Sequence, residues 1–540
     1  MRRTIYALLF CLCSIAGMAQ TAELMRIYTD KDCYLAGEEL WVKISLDDEA
    51  LPGNVMSRVA YVEICDTAQV RAQGKVALTQ GVGWACIQLP PTMHSGVYQL
   101  TAYTRYMRNL KPDCFPRKHV AVLNTLGAST EDRLKVNDTT MFPKSRQESA
   151  VLDSQWLKGD KEVYGRRDKV SLSWPSQWAE AKDLTLSVVR KDCEVQLSPL
   201  QVSSPERAGG PNWVAECEGH IVSGQVEGSG FPLDLSAQLS CVGKSVNVFD
   251  GVHREDGLFN FYTFDVTGQQ DIVLSSRSNN EGKTFRMEIV SPFAELLPKQ
   301  LPALSCMYED SALIARSVAL QLAQAMPKAA LPKELESVVY NQLPVRTYNL
   351  DEYVRFNTVR ECVIEFLMGV AFDKEDGREV IRLLQEDRRT YNVFPVLVLI
   401  DGVAFHDHSD VLNYNARQIH YAYQYRGIYT LGGQLYGGIL SFITHRGTMP
   451  DMRIGGDMQM LAYEFPQDRP DFRMPDYENE EVKTSRRPDF RHTLYWNPAV
   501  EGKTGASFYT SDLNGVYVAT LTGLDAEGKK IEERWEFEVR

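Results

Sequence analysis

Alternating apolar and polar residues dominate the first part of the chain. The stretch Glu39–Leu46 reads ELWVKISL, and the same alternation returns at residues 61–64, 83–89 and 96–103. A period of two is typical of strands that bury one face of an antiparallel sheet. The pattern therefore predicts a β-sandwich over residues 22–125.

Strand-like alternation continues beyond this region. Residues 159–215 contain strand candidates at 169–174 and 184–190, and residues 216–298 contain another at 221–226. Arg254-Glu255-Asp256-Gly257 is typical of a hairpin, and residues 258–264 alternate after it. We predict a β segment over 159–215 and a separate β-sandwich over 216–298.

Two polar stretches separate these regions from their neighbours. Residues 126–158 are polar and aperiodic, and residues 448–490 carry prolines and charges of both signs. Such composition indicates a linker at 126–158 and a solvent-exposed connector at 448–490. Residues 491–540 alternate again and predict a C-terminal β domain. The expected fold class is mainly β, with tandem immunoglobulin-like sandwiches and one small α+β domain.

The pattern changes near residue 310. Residues 311–325 combine alanines with apolar residues at helical spacing, so 310–346 is predicted to be a helical connector. Asn349, followed by the acidic residues Asp351 and Glu352, is typical of a helix N-terminus. A partly amphipathic helix is expected to follow it. Its apolar positions are Val354, Val359, Val363, Ile364 and Phe366.

Residues 347–447 alternate short apolar runs with turn residues. The run 394–400 stops at Asp401-Gly402, and the run 438–444 follows the glycine-rich sequence LGGQLYGG. Glycine accepts a positive φ and lets backbones approach closely. The stretch is therefore predicted to be a small, tightly turned α+β domain.

Several of these segments resemble known families. YTDKDCYLAGEELWVKISL and SGVYQLTAYTRYMRN resemble the second macroglobulin-like domain of α-macroglobulins, and VYGRRDKVSLSW resembles the entry to another such sandwich. HIVSGQV, with the later REDGLFNFYTFDVTGQQDIVLSS, resembles the carboxypeptidase-regulatory-like or transthyretin-like sandwich. Residues 347–447 resemble the plug domain of TonB-dependent outer-membrane receptors. The segments that carry this resemblance are, in order, LVLIDGV, YRGIY and YGGILSFIT. The combined order resembles exported multidomain proteins of Gram-negative envelopes that carry such a plug without a barrel.

Residues 1–19 predict export. Arg2-Arg3 precedes an apolar core at 5–15, and Gly17-Met18-Ala19 has the small-x-small pattern of a cleavage site. No later segment contains eighteen uninterrupted apolar residues, so no transmembrane helix is expected. The formal charge of −13 argues against non-specific nucleic-acid binding. Together with the resemblance, these features imply a periplasmic or outer-membrane-associated location.

The sequence contains no complete catalytic motif. The thioester sequence GCGEQ of the α-macroglobulins is absent, as are a nucleophile elbow and a Walker loop. His406-Asp407-His408 with Asp410 offers metal-ligand types, but the segment follows a turn and is interpreted as a polar loop. Other histidines, such as His420 and His445, are scattered. We therefore expect no catalytic residue, no cofactor and no metal.

The plug resemblance directs attention to a tyrosine-rich stretch. Tyr421, Tyr423 and Tyr425 have a spacing of two, which places them on one face of a strand, and Tyr429 follows. Tyrosine is favoured at interfaces because it offers apolar area and a polar tip. We predict that these four residues bind other envelope proteins, such as outer-membrane receptor components. Packing of the tyrosines on a helix of their own domain is the alternative.

Two functions are compatible with the sequence. The first is a non-enzymatic envelope scaffold that binds other envelope proteins. The second is a glycan- or peptide-binding accessory of a TonB-dependent uptake system.

Overall fold

A computed structural model of the chain describes most of its residues. The described ranges are 23–46, 57–127, 156–209, 212–228, 232, 234–254, 257–278, 285–308, 310–325, 344–375, 378–385, 390–431, 434–454 and 458–540. The predicted leader and most of the predicted linker at 126–158 lie outside them. The chain divides into two compact units: Met1–Cys217 with Phe293–Ala329 and Pro466–Arg540, and Glu218–Pro292 with Ala330–Phe465.

The predicted fold class is confirmed, since both units are built mainly from β-sheets. Every helix among the described residues is too short or too polar to cross a bilayer.

The first unit begins with two sheets that share one apolar core. The three-stranded sheet contains, in spatial order, Met25–Thr29, Glu39–Leu46 and Val82–Gln88. The five-stranded sheet contains Cys33–Leu35, Arg117–Leu123, Gly96–Thr104, Val59–Cys65 and Val70–Ala77. The alternation in the sequence thus corresponds to strands that bury a face against this core.

A second pair of sheets joins segments from opposite ends of the chain. The five-stranded sheet is ordered Val163–Tyr164, Lys530–Val539, Gly515–Leu524, Lys182–Arg190 and Thr493–Asn497. The three-stranded sheet is ordered Gly505–Tyr509, Lys169–Ser173 and Lys158–Gly159. The sequence pattern predicted separate β regions at 159–215 and 491–540, which differs from this arrangement. Neither segment holds enough strands to close a core alone, and together they share one.

The stretch after residue 465 packs on the first pair of sheets. The backbone N–H of Gln467 donates to the carbonyl of Lys75 over 2.9 Å, and its side-chain oxygen accepts from the N–H of Cys86 over 2.9 Å. The ring of Phe472 lies 5.4 Å from that of Trp41. The prediction of a solvent-exposed connector is therefore wrong here, because this segment forms hydrogen bonds with backbone groups of the sheets that would otherwise be unpaired.

A helix and a two-stranded sheet complete the first unit. Cys193–Val195 pairs with Cys306–Tyr308, and the predicted helix spans Asp310–Ala325. Short helices also occur. They are Tyr106–Asn109, Pro112–Cys114, Ser176–Glu180 and Glu480–Lys483.

The long helix carries a buried arginine into the first unit. The Arg316 side chain is 2% exposed, and its guanidinium donates to both carboxylate oxygens of Glu38 over 2.7 Å each. It also donates to Asp192 over 3.0 Å and to the carbonyl of Cys33 over 3.0 Å. The second oxygen of Asp192 lies 2.8 Å from Nε2 of His492. Parts of the chain that are far apart in sequence therefore meet in one charged network.

The second unit contains a seven-stranded sheet with its own core. Its strands, in spatial order, are Met287–Val290, Ile221–Val226, Leu258–Tyr262, Val248–His253, Leu235–Cys241, Gln269–Ser278 and Met458–Glu464. The last strand comes from the predicted connector at 448–490 and pairs antiparallel with Gln269–Ser278. That part of the connector prediction is also wrong. The physical reason is the burial of two aromatic side chains, Tyr463 on this strand and Phe465 directly after it.

A five-stranded sheet of the second unit is formed by the region predicted to be a small α+β domain. Its spatial order is Arg346–Asn349, Ile419–Tyr425, Ile439–Thr444, Leu397–Ile400 and Val403–Phe405. Two hairpins and short helices surround it. These are Val370–Glu375 with Arg378–Leu383, Tyr429–Leu431 with Gln434–Tyr436, Leu350–Glu352, Val359–Glu365, His408–Leu412 and Ala416–Gln418.

The predicted helix after Asn349 is shorter than expected. Asn349 caps only the 3₁₀ turn Leu350–Glu352, and the α-helix begins at Val359. Thr358 and Glu361 form a capping box that satisfies the first N–H groups of this helix. Val354 is 78% exposed because it lies before the helix.

The predicted turn at Asp401-Gly402 closes the hairpin between Leu397–Ile400 and Val403–Phe405. Both residues have positive φ, 45° for Asp401 and 79° for Gly402. The buried Asp401 carboxylate accepts hydrogen bonds from the N–H groups of Thr444 and Met449, each over 2.7 Å. One residue thus fixes the turn and ties it to the end of the neighbouring strand Ile439–Thr444.

Candidate interaction surface

The tyrosine-rich strand Ile419–Tyr425 lies inside the five-stranded sheet, between Arg346–Asn349 and Ile439–Thr444. Its register pairs Tyr421 with Ile443, Tyr423 with Ser441 and Tyr425 with Ile439. Since directly opposed residues share a face, the three tyrosines lie on one face of the sheet. The arrangement agrees with the spacing of two in the sequence.

The four tyrosines differ in exposure. Tyr421, Tyr423 and Tyr429 are half-buried, whereas Tyr425 is only 2% exposed. Tyr425 packs with Leu397, Leu399 and other apolar side chains, and burial raises its pKa to about 12. Tyr425 therefore belongs to the core, and the prediction that it contacts a partner is wrong. The remaining three define what we call the tyrosine surface.

The opposite face of the same strand carries the helix. Ala422, Leu440 and Phe442 pack in the core that contains Val359 and Val363 of the helix Val359–Glu365. Tyr423, Tyr425 and Tyr429 belong to a different apolar cluster, and Tyr421 lies on the same face of the strand as Tyr423 and Tyr425. Packing of these tyrosines on the domain's own helix, the alternative left open by the sequence, therefore does not occur.

The rings of the tyrosine surface are ordered by contacts with one another. The Tyr421 and Tyr423 rings are stacked, with centroids 5.7 Å apart and an interplanar angle of 24°. The Tyr429 hydroxyl donates to the carbonyl of Arg426 over 3.0 Å, which fixes that ring on the hairpin Tyr429–Leu431 with Gln434–Tyr436. Half-buried aromatic rings held in place lose little entropy when a partner covers them.

A charged cluster borders the tyrosine surface. The His420 ring centroid lies 4.0 Å from that of Tyr421, and His420 stacks on His445 at 4.8 Å. The Asp351 carboxylate lies 3.3 Å from Nε2 of His420 and 3.7 Å from Nε2 of His445. Arg355 pairs with the same carboxylate and donates to the carbonyl of Ile419 over 2.8 Å. These histidines are scattered in the sequence, and their proximity depends on the fold.

The donor set Asp351, His420 and His445 has ligand atoms within 4.8 Å of one another, the grouping that a divalent cation requires. The local charge opposes a cation, however. Burial lowers the pKa of His420, and the neighbouring His445, Lys244 and Arg355 lower it further. Arg355 already neutralises the carboxylate. We therefore interpret the cluster as a polar rim of the tyrosine surface.

The histidines of the HDH motif have structural roles. Nδ1 of His408 accepts the backbone N–H of Ile381 over 2.7 Å, and burial lowers the pKa of His408 to about 4. Asp407 caps the helix His408–Leu412 by accepting the N–H of Ser409. Burial likewise lowers the pKa of His406, to about 3. The predicted polar loop is thus a helix start with an inward-facing histidine.

Sequence comparison identifies no relative. No established protein family matches the chain, and no curated protein matches it.

Solved structures align with the chain only weakly. Native Escherichia coli alpha-2-macroglobulin covers 97% of this chain and 40% of its own length, at 9% identity and a TM-score of 0.23. The Escherichia coli adhesin FdeC covers 49% of this chain and 64% of its own, at 12% identity and a TM-score of 0.15. The Yersinia pseudotuberculosis adhesin InvE covers 51% and 61%, at 12% identity and a TM-score of 0.14. Scores this low support no argument about fold or function.

Proposed function

We propose that this protein is a non-enzymatic interaction protein of the Gram-negative cell envelope. It binds another envelope protein through the tyrosine surface formed by Tyr421, Tyr423 and Tyr429. The single observation that carries the proposal is an aromatic patch of stacked, half-buried tyrosines on a sheet face opposite the helix. Tyrosine is enriched at protein interfaces because it buries a large ring at small entropic cost.

The rim of the patch supports the same function. Asp351, Arg355, His420 and His445 form a polar cluster that adjoins the stacked tyrosines where the His420 ring meets Tyr421. An apolar centre with a polar, solvent-accessible rim is the usual anatomy of a non-obligate interface. The rim would orient a partner through complementary charge, and the rings would provide most of the binding free energy.

Other features of the chain support the cell envelope as the proposed compartment. Residues 1–19 have the pattern of a secretory leader. Residues 347–447 resemble the plug of an outer-membrane receptor, a domain that packs against the barrel of that receptor. Periplasmic or outer-membrane partners, such as receptor components, are therefore the class to test first.

Site-specific photo-crosslinking in intact cells tests the proposal. A photoreactive residue at position 421 or 423 should give a crosslinked adduct of higher mass, whose partner is identified by mass spectrometry. The matched control is position 425, which lies on the same face two residues away and is 2% exposed. It should give no intermolecular adduct.

A second variant tests whether the rings bind the partner. Tyr421→Ala should reduce the adduct formed at 423 by about tenfold, because truncating an interface aromatic typically costs about 1–2 kcal/mol. Equal adduct yields at 423 and 425, or none at 421, 423 and 429, would rule out this surface.

A further inference from the structure

Three cysteines from distant parts of the chain meet in the first unit. Cys33 begins the strand Cys33–Leu35, Cys193 begins Cys193–Val195, and Cys306 begins Cys306–Tyr308. The Sγ atoms of Cys33 and Cys193 are 3.1 Å apart, and the Cys193 thiol also hydrogen bonds with that of Cys306. Cys193 is therefore the central sulfur of the group.

Strand pairing explains why two of the thiols share a face. Cys193 lies opposite Tyr308, and Val195 lies opposite Cys306. In an antiparallel pair, diagonal residues two positions apart point to the same side. Cys33 reaches this face from a strand that pairs in parallel with Arg117–Leu123, and all three thiols join one apolar cluster.

The three sulfurs have different environments. Cys33 is 6% exposed, whereas Cys193 and Cys306 are half-buried. Hydrogen bonds with Cys306 and Cys33, together with burial, raise the pKa of the Cys193 thiol. The hydrogen bond from Cys193 lowers the pKa of Cys306. Cys241 and Cys362, which lie apart from this group, have pKa values raised by burial to about 12 and about 11.

We propose that Cys33, Cys193 and Cys306 form a thiol–disulfide exchange site, whose reaction partner is a small-molecule disulfide and whose product is a disulfide between Cys33 and Cys193. Cys306 is the entry thiol, since it is accessible and accepts a hydrogen bond as a thiolate. A disulfide S–S bond is about 2.0 Å long, so the Cys33 and Cys193 sulfurs need to close by only about 1 Å.

The exchange proceeds in three balanced steps. The Cys306 thiolate attacks the small-molecule disulfide and releases one thiolate, forming a mixed disulfide. Cys193 then attacks Sγ of Cys306 and expels the second small thiolate, while its own proton goes to solvent. Cys33 finally attacks Sγ of Cys193, and the Cys306 thiolate leaves and takes up the proton of Cys33. In sum, Cys33 and Cys193 lose two electrons and two protons, and the small disulfide becomes two thiols.

The order of the steps follows from the acidity of the thiols. A thiol of lower pKa leaves faster, so Cys306 is both a suitable entry thiol and a suitable leaving group. The product disulfide joins residues 33 and 193 and closes a long loop between the strands Cys33–Leu35 and Cys193–Val195 of the first unit. Such a bond restricts the unfolded chain strongly.

Disulfide mapping of the full chain tests the site. The reduced protein is incubated with glutathione disulfide, remaining thiols are blocked with iodoacetamide after unfolding, and peptides are identified by mass spectrometry. Wild type should yield a disulfide-linked pair of peptides that contain Cys33 and Cys193. The apparent melting temperature of the oxidised form should rise by several degrees, and the rise should vanish in Cys193→Ser, which can form no disulfide within the group.

Single variants assign the roles. Cys193→Ser should form no disulfide within the group, Cys33→Ser should stop at Cys193–Cys306, and Cys306→Ser should form Cys33–Cys193 more slowly by on the order of tenfold. Cys114→Ser, at a buried cysteine of the same unit, is the matched control and should leave product and rate unchanged. Far-UV circular dichroism checks that each variant is folded.

Two results would overturn the proposal. One is wild-type protein in which iodoacetamide still alkylates all three cysteines after incubation with glutathione disulfide, because no disulfide has formed. The other is a Cys193→Ser variant in which Cys33 and Cys306 pair directly, because it would remove the central role of Cys193. Neither result bears on the tyrosine surface, which belongs to the second unit.

Discussion

Replacing Arg316 with methionine should destabilise the first unit strongly. The guanidinium is 2% exposed and donates to Glu38, Asp192 and the carbonyl of Cys33. Methionine fills much of the space but leaves two buried carboxylates without this cation. Removing one partner of a buried ion pair costs roughly 3–5 kcal/mol, so we expect the free energy of unfolding to fall by about 4 kcal/mol.

The assay can report on this unit alone. All 8 tryptophans of the chain, the last at Trp535, fall within the segments of the first unit. Urea-induced unfolding followed by tryptophan fluorescence therefore measures its stability without interference from the second unit. The matched control is Arg534→Met, at an arginine that is 57% exposed and pairs with Glu532 on the surface. It should cost less than about 1 kcal/mol.

The penalty should also depend on pH. Burial raises the pKa of Glu38, but Arg316 and Lys31 outweigh it and hold that pKa well below its ordinary value of 4.5. A carboxyl with a depressed folded pKa contributes stability above its unfolded pKa and loses it as pH falls through the folded pKa. From pH 7.5 to 5 this contribution to the wild type therefore stays constant.

The variant should behave differently over the same range. Removing a cation raises the pKa of every neighbouring group, including Asp192 and His492, whose pKa values Arg316 helps to lower. The variant therefore takes up protons at higher pH, and its deficit should shrink between pH 7.5 and 5. A double variant with Glu38→Gln should be less destabilised than the sum of the single changes. A loss below about 1 kcal/mol, or a deficit that grows on acidification, would refute the reasoning.

Two further predictions concern the second unit. Gly402→Ala should lower the stability of the second unit by more than about 2 kcal/mol, since φ is 79° and the new Cβ would lie 2.7 Å from the carbonyl oxygen of Ser245. The control Gly268→Ala, with φ of 73° and no heavy atom within 4 Å of the new Cβ, should cost only about 1 kcal/mol. Thermal unfolding followed by circular dichroism measures both losses. Similar losses in both variants would contradict this. His408, with its pKa lowered to about 4 by burial, contributes stability above pH 6.5 that is lost as pH falls toward 4, up to roughly 3 kcal/mol. His408→Asn should flatten that part of the urea-midpoint profile, and an unchanged profile would exclude the role of His408.

Local patterns in the sequence determined several features of the fold. Alternation predicted a mainly β protein, because a strand that buries one face needs a period of two. Asp401-Gly402 predicted a turn, because both residues tolerate positive φ. The spacing of Tyr421, Tyr423 and Tyr425 predicted a shared face for the same geometric reason. Each of these depends on residues that are close together in the chain.

Which side chains of a helix or strand are buried was decided by the elements that pack against it. On the helix Asp310–Ala325, Arg316 is buried while Ile314 is 64% exposed, the reverse of what hydrophobicity suggests. The carboxylates of Glu38 and Asp192 compensate the buried charge, and neither lies near the helix in sequence. On the strand Ile419–Tyr425, Tyr425 is buried in an apolar cluster, whereas Tyr421 and Tyr423 are half-buried.

Partnership between distant segments was decided by the tertiary structure. The sharing of one core by 159–215 and 491–540, the pairing of Met458–Glu464 with Gln269–Ser278, and the meeting of three cysteines have no local signature. A strand's own residues specify that it will pair and which face it buries, but many other strands offer the same backbone groups. The choice among them depends on which cores can close, and that free energy belongs to the folded chain as a whole.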